Sequence, residues 1–199
     1  YKKNKIKSII HISDIHIRTG NIIQARYNEY SYVFNDLISK LKNLKNLENC
    51  IIIITGDIFH HKNQIESSGI DLFSYIIKQL TELTEVFIIM GNHDYRQDNA
   101  IEQDLISALV KNSNYTNLHY LDKTGIYIVN NLLIGLVAIN DVLENGDTSG
   151  MVETLPEFPD PNSVDLSNIT CKVALYHGII IDDNNSVFKE KEKGIHVDW

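Results

Sequence analysis

The chain has 199 residues, enough for one domain with a sizeable core and tight for two. Hydrophobic residues make up 43% and charged residues 22%, which excludes fibrous, collagen-like and disordered classes. A net charge of −8 argues against a general nucleic-acid binder unless part of the acid serves as metal ligand, since bound divalent ions return positive charge where a phosphate must sit. Cys50 and Cys171 stand far apart, each at the start of an apolar run, and read as buried core thiols rather than a disulfide framework. The longest apolar runs, such as 51–54 and 86–90, have strand length and cannot span a bilayer. A soluble intracellular protein, of cytoplasm or nucleus and without a membrane partner, is expected.

In chain order, 8–13 is an Ile-rich strand. Residues 28–47 place Tyr30, Val33, Phe34, Leu37, Ile38, Leu41 and Leu44 at helical spacing and predict an amphipathic helix. The unbroken apolar run 50–55 is a strand buried on both faces. Helix returns over 64–83, a third buried strand over 85–90 and a shorter helix over 99–111. The pattern then changes. Residues 125–129 and 132–139 flank Asn130-Asn131, a two-residue hairpin turn. Residues 141–170 are polar, hold all three prolines and read as a long loop; 172–176 is a last strand. Strand–helix–strand–helix–strand followed by hairpins gives an α/β sheet, parallel in its first half and mixed later.

The chemistry collects at strand ends. The first strand runs into Asp14-Ile15-His16, and the second into Gly56-Asp57-Ile58-Phe59-His60-His61. The third runs into Gly91-Asn92-His93-Asp94, and the last into His177-Gly178. Parallel strands share the edge where α/β folds gather ligand sites, so the four motifs are expected to converge. Carboxylate, imidazole and amide oxygen together suit Mn, Fe or Zn, whereas a dedicated Ca or Mg site would use oxygen alone. The glycines before Asp57 and Asn92 permit sharp turns close to a phosphate. A carboxylate such as Asp57 could bridge two metals about 3.5–4 Å apart. One Asp-x-His is a weak signal; four strand-terminal motifs in order are a strong one.

These motifs resemble the calcineurin-like metallophosphoesterases over nearly the whole chain. Within that superfamily, Gly56-Asp57-Ile58-Phe59-His60 and His11-Ile12-Ser13-Asp14-Ile15-His16 look most like the Mre11/SbcD nucleases. The Gly-Asp-x-Val-Asp-Arg-Gly and Gly-Asn-His-Glu of protein phosphatases are absent. The resemblance implies a metallophosphoesterase-type mixed β-sheet sandwich flanked by helices, and two divalent metal ions, manganese first, with iron, zinc or magnesium as alternatives. Asp14, His16 and bridging Asp57 would hold one ion; Asp57, Asn92 and His177 would hold the other. His93 would protonate the leaving oxygen or stabilise the pentacoordinate phosphate, with His60 in support. Asp94 would orient His93 or cap the following helix.

The implied activity is DNA exo- or endonuclease action in double-strand-break repair or end processing. Its implied partners are DNA, a Rad50/SbcC-like ATPase and a possible second copy of the chain. The superfamily's final Gly-His-x-His is missing, because His196 stands alone, so 1–199 reads as one metallophosphoesterase domain, incomplete at its C-terminus. Two alternatives stay open: a phosphodiesterase or phosphatase acting on small nucleotides or phosphoproteins, and a non-catalytic scaffold with an incomplete metal site. His11, His61 and His119 have ordinary packing or surface readings. Arg18, Arg26, Arg96 and Tyr95 lie near motifs and could touch substrate, although solvated side chains are the ordinary case.

Overall fold

A computed structural model describes residues 4–18, 23–61, 65–94, 104–139, 141 and 157–178, with the backbone alone at 23–25. The chain divides into two compact units, Tyr1–Tyr120 and Leu121–Trp199. The α/β class and the sheets flanked by helices are as expected from the sequence.

The first unit is a four-stranded parallel sheet in the order β1-β2-β3-β4. Its strands are β1 (Ser8–Ile12), β2 (Cys50–Thr55), β3 (Val86–Ile89) and β4 (Leu118–Tyr120). Helices α1 (Ile23–Lys42) and α2 (Ser67–Thr81) make the β1–β2 and β2–β3 crossovers, and α3 (Leu105–Lys111) precedes β4. Alternate residues of a strand face opposite sides. Ile52 and Ile54 of β2, with Val86 and Ile88 of β3, therefore meet Phe34, Ile38 and Leu41 of α1, Leu72, Phe73, Ile76, Ile77 and Leu80 of α2, and Ile106 of α3 in one cluster. Ile51, Ile53, Phe87 and Ile89, on the other face, are buried too. Burial on both faces is why β2 and β3 are unbroken apolar runs. Each such side chain contributes roughly 1.5–3 kcal/mol.

Helix α1 ends before the predicted 47. Asn43 turns its amide back to donate to the Ser39 carbonyl, and Asn46 takes a left-handed φ of 62°. Short strand β4 carries no period of its own in the sequence. It is held by pairing to β3 and by Asn117, whose carbonyl accepts from Val86 N–H and whose amide donates to the Thr81 carbonyl. The predicted third helix is described only from Asp104, whose carboxylate caps it by accepting from Ser107 N–H.

The second unit holds a three-stranded sheet in the order β5-β6-β7, built from β5 (Gly125–Val129), β6 (Leu132–Leu136) and β7 (Cys171–Leu175). β5 and β6 are antiparallel across the Asn130-Asn131 turn, where Asn130 has φ 55°, and β6 and β7 are parallel. The sheet is therefore mixed, as predicted. Central β6 is buried throughout, while edge strand β7 is partly exposed. Hence Cys50 is a core thiol but Cys171, expected to be buried, is exposed at the start of an edge strand. The predicted loop 141–170 is described at 141 and from 157 onward, where it includes a 3-10 turn at Pro161–Ser163. No described helix is long and apolar enough to cross a membrane.

Candidate metal and catalytic site

The carboxyl ends of β1, β2 and β3 lead directly into the three motifs of the first unit. Beyond β1 and β2 the chains stay paired. Asp14 N–H donates to the Gly56 carbonyl, His16 N–H to that of Asp57 (2.9 Å) and Ile17 N–H to that of Ile58 (2.7 Å). The Tyr30 hydroxyl of α1 donates to the His16 carbonyl at 2.6 Å. Neither the Tyr30 anchor nor the Ser13 hydroxyl that donates to the Asp14 carboxylate carries a sequence signal that would have found it.

The backbone is strained where the ligands are expected. Five described non-glycine residues have positive φ, and two are the turn asparagines Asn46 and Asn130. The other three are Asp14 (φ 54°), His16 (47°) and Asp57 (51°). A left-handed conformation costs about 1–2 kcal/mol per residue and persists where the surroundings over-determine it. The two glycines have steric reasons as well. Gly56 has φ 85° and its missing Cβ would strike Gly91 backbone, while a Cβ on Gly91 would strike the Asp57 backbone and carboxylate. The β2 and β3 loops thus touch with no side chain between them.

Asp57 is only 4% exposed. Its Oδ1 accepts from His93 N–H at 2.9 Å, and its Oδ2 lies 3.4 Å from His16 Nε2 and 4.0 Å from His93 Nε2. Ligand atoms of Asp14, His16 and Asp57 fall within 4.8 Å of one another. Two carboxylates and an imidazole at that spacing fit a divalent transition ion. His93 Nδ1 lies 2.8 Å from the His60 carbonyl. A carbonyl only accepts, so Nδ1 carries a proton and Nε2 is the nitrogen left to the site. The His60 ring stacks on His93, with centroids 5.6 Å apart and planes 15° from parallel. Partial burial first, then the positive charge of Arg18 and the neighbouring His61, His16 and His93, push the His60 imidazole below its ordinary pKa.

Asp94, expected to orient His93 or to cap the following helix, touches the backbone of the loops that carry Asp57 and His93. It is buried, and its carboxylate accepts from Ile58 N–H (3.1 Å), Phe59 N–H (3.2 Å) and Gly91 N–H (3.0 Å). It clamps the loop carrying Asp57 to the loop carrying His93. Burial, opposed by those hydrogen bonds and reinforced by the Asp57 charge, lifts its pKa to about 6. Asn92 sits in the same β3 turn with an exposed side chain, and His177 follows β7 in the second unit, half-buried. The first unit therefore brings together Asp14, His16, Asp57, His60, His93 and Asp94. His11 instead meets the Thr55 hydroxyl at 2.8 Å, His61 is exposed, and His119 stacks on Phe87. Arg18 and Arg26 are exposed, and Tyr95, Arg96 and His196 lie outside the described residues.

Against known proteins, residues 7–193 match the calcineurin-like phosphoesterase family. The chain is 33% identical over 205 aligned positions to "Uncharacterized protein R555" of Acanthamoeba polyphaga mimivirus, covering 98% of this chain and 14% of that protein. It is 24% identical over 131 positions to "Putative phosphoesterase 244L" of Invertebrate iridescent virus 6, covering 65% of this chain and 42% of that protein. The chain thus spans less than half the length of either relative.

Proposed function

The chain belongs to the calcineurin-like phosphoesterases, and from that premise we propose that it is a dinuclear-metal phosphodiesterase acting on DNA, in the manner of the Mre11/SbcD nucleases. The observation that carries the phosphodiesterase reading is the convergence of Asp14, His16 and Asp57, each held in a left-handed backbone conformation. The nuclease assignment leans on Gly56-Asp57-Ile58-Phe59-His60 and on the His60 ring lying against His93.

Asp14, His16 and Asp57 would hold one ion; by the resemblance, Asp57, Asn92 and His177 would hold a second. Bound there, divalent ions, manganese first, would supply positive charge for the phosphate and would acidify a water toward neutral pH. His93 is the general acid. Its Nδ1–H is fixed by the His60 carbonyl, so a second proton can reside only on Nε2, the nitrogen facing the site. The Asp57 carboxylate lies 4.0 Å from that nitrogen. His60 positions His93 through its carbonyl and its ring. Asp94 positions Asp57 and His93 by joining their loops. A Rad50/SbcC-like ATPase and self-association belong to the same reading of the whole protein.

The net charge of −8 favours a second reading, hydrolysis of small nucleotides or phosphoproteins, whose charge is less than that of duplex DNA. A substrate panel with manganese separates the two, comparing DNA with cyclic nucleotides and bis(p-nitrophenyl) phosphate. DNA cleavage that falls in His60→Ala and His93→Ala supports the nuclease. Turnover of cyclic nucleotides with no DNA cleavage overturns it.

A further inference from the structure

His60 is absent from the ligand set that the resemblance implies, yet it belongs to a second group with metal-binding geometry. One ring nitrogen from each of His16, His60 and His93 lies within 4.8 Å of the other two. The three come from three different loops, after β1, β2 and β3, and all are half-buried, so an ion from solvent can reach them.

We propose that His16, His60 and His93 form a second, overlapping three-imidazole site for a borderline transition ion such as zinc, whose occupation shuts off the phosphoesterase. The spacing suits the ion better than it suits a hydrogen bond. His60 Nδ1 and His16 Nδ1 are 3.4 Å apart, longer than the usual N–H contact. Zinc bonds of about 2.0–2.1 Å in tetrahedral geometry hold neighbouring nitrogens about 3.3 Å apart. Three imidazoles with water as the fourth ligand are a donor set suited to zinc, copper or nickel.

The outer contacts also match what such ligands require, since a ligating histidine donates its other N–H to a carbonyl or carboxylate. His93 does so from Nδ1 to the His60 carbonyl at 2.8 Å, leaving Nε2. His16 can do so from Nε2 toward Asp57 Oδ2 at 3.4 Å, leaving Nδ1 for the site shared with His60.

The same arrangement makes the two sites exclusive. Neutral imidazole has one lone-pair nitrogen. If His16 gives Nε2 to the site of Asp14 and Asp57, its Nδ1 is protonated and faces His60. If it gives Nδ1 to the histidine site, its Nε2 is protonated and faces Asp57. An ion among the three histidines therefore removes His16 from the carboxylate site and His93 from proton transfer. Binding at this site rests on the three rings alone; the shut-off rests on the function proposed above.

Cobalt(II) absorbs strongly in the visible when four-coordinate and weakly when six-coordinate, so titrating the chain with cobalt and then zinc tests the site. The wild-type chain should show a strong band that zinc abolishes. Asp14→Asn, outside the triad, should keep it. His60→Ala and His93→Ala should each lose it, as should His60→Gln, which keeps side-chain length without an imidazole nitrogen. A strong band that survives in the His60 and His93 variants overturns the site. In a parallel assay of manganese-supported bis(p-nitrophenyl) phosphate hydrolysis, the zinc concentration that halves the rate should rise at least about tenfold in His60→Ala. An unchanged value overturns the shut-off whatever the spectra show. The underlying function fails by a different result, namely no manganese-supported hydrolysis by the wild-type chain without zinc.

Discussion

Asp94 and His93 are neighbours in the chain, and in the function proposed above they would divide positioning from chemistry between them. Replacing Asp94 with Ala leaves the N–H groups of Ile58, Phe59 and Gly91 without their acceptor. At about 1–3 kcal/mol for a buried group left unmade, a loss of about 2–4 kcal/mol is expected in denaturant unfolding, and a smaller one for Asp94→Asn. His93→Ala removes no packing of that kind. It should leave the unfolding midpoint near wild type and lower kcat on bis(p-nitrophenyl) phosphate by about 10²–10⁴-fold, the usual range for a lost general acid. The ligand candidates were legible because their chemistry is local: Asp14-x-His16 and Gly91-Asn92-His93 announce metal and phosphate by residue type and spacing. The partners of Asp94 were not, because it accepts from backbone N–H groups, which have no letter of their own, and two of the three, on Ile58 and Phe59, lie 36 and 35 residues back.

At the level of elements, strand β2 coincides with its prediction because six consecutive buried positions leave no ambiguity in the apolar run. Helix α1 was displaced because its apolar spacing continues to Leu44 while the backbone has already stopped at Lys42, with Leu44 exposed. Strand β4 could not be read at all, for three half-buried residues make no pattern and only pairing to β3 defines them. Packing predicts which elements tolerate change. Ile54→Ala opens a cavity in a fully buried position between sheet and helices and should cost about 2–5 kcal/mol. Ile128→Ala, at a position 51% exposed on β5, should stay within about 0.5 kcal/mol in the same unfolding experiment.

For the molecule as a whole, the parallel sheet of the first unit does what such sheets do. It delivers three loops to one edge, so that ligands as far apart in the sequence as Asp14 and Asp57 come within 4.8 Å. Holding Asp14, His16 and the buried Asp57 in strained conformations without an ion opposes folding, and an ion that binds only the folded site would offset this. Manganese at about a hundred times its dissociation constant should stabilise the chain by about 2.7 kcal/mol, read as a higher Tm that a chelator reverses. Asp57→Asn should abolish that shift. The most direct measurement of the central claim is phosphodiester hydrolysis with manganese by the wild-type chain and by Asp57→Asn, each repeated in excess chelator. Hydrolysis is expected from the wild-type chain alone, and only with metal present. Hydrolysis that persists in chelator, or that Asp57→Asn leaves unchanged, would contradict the claim.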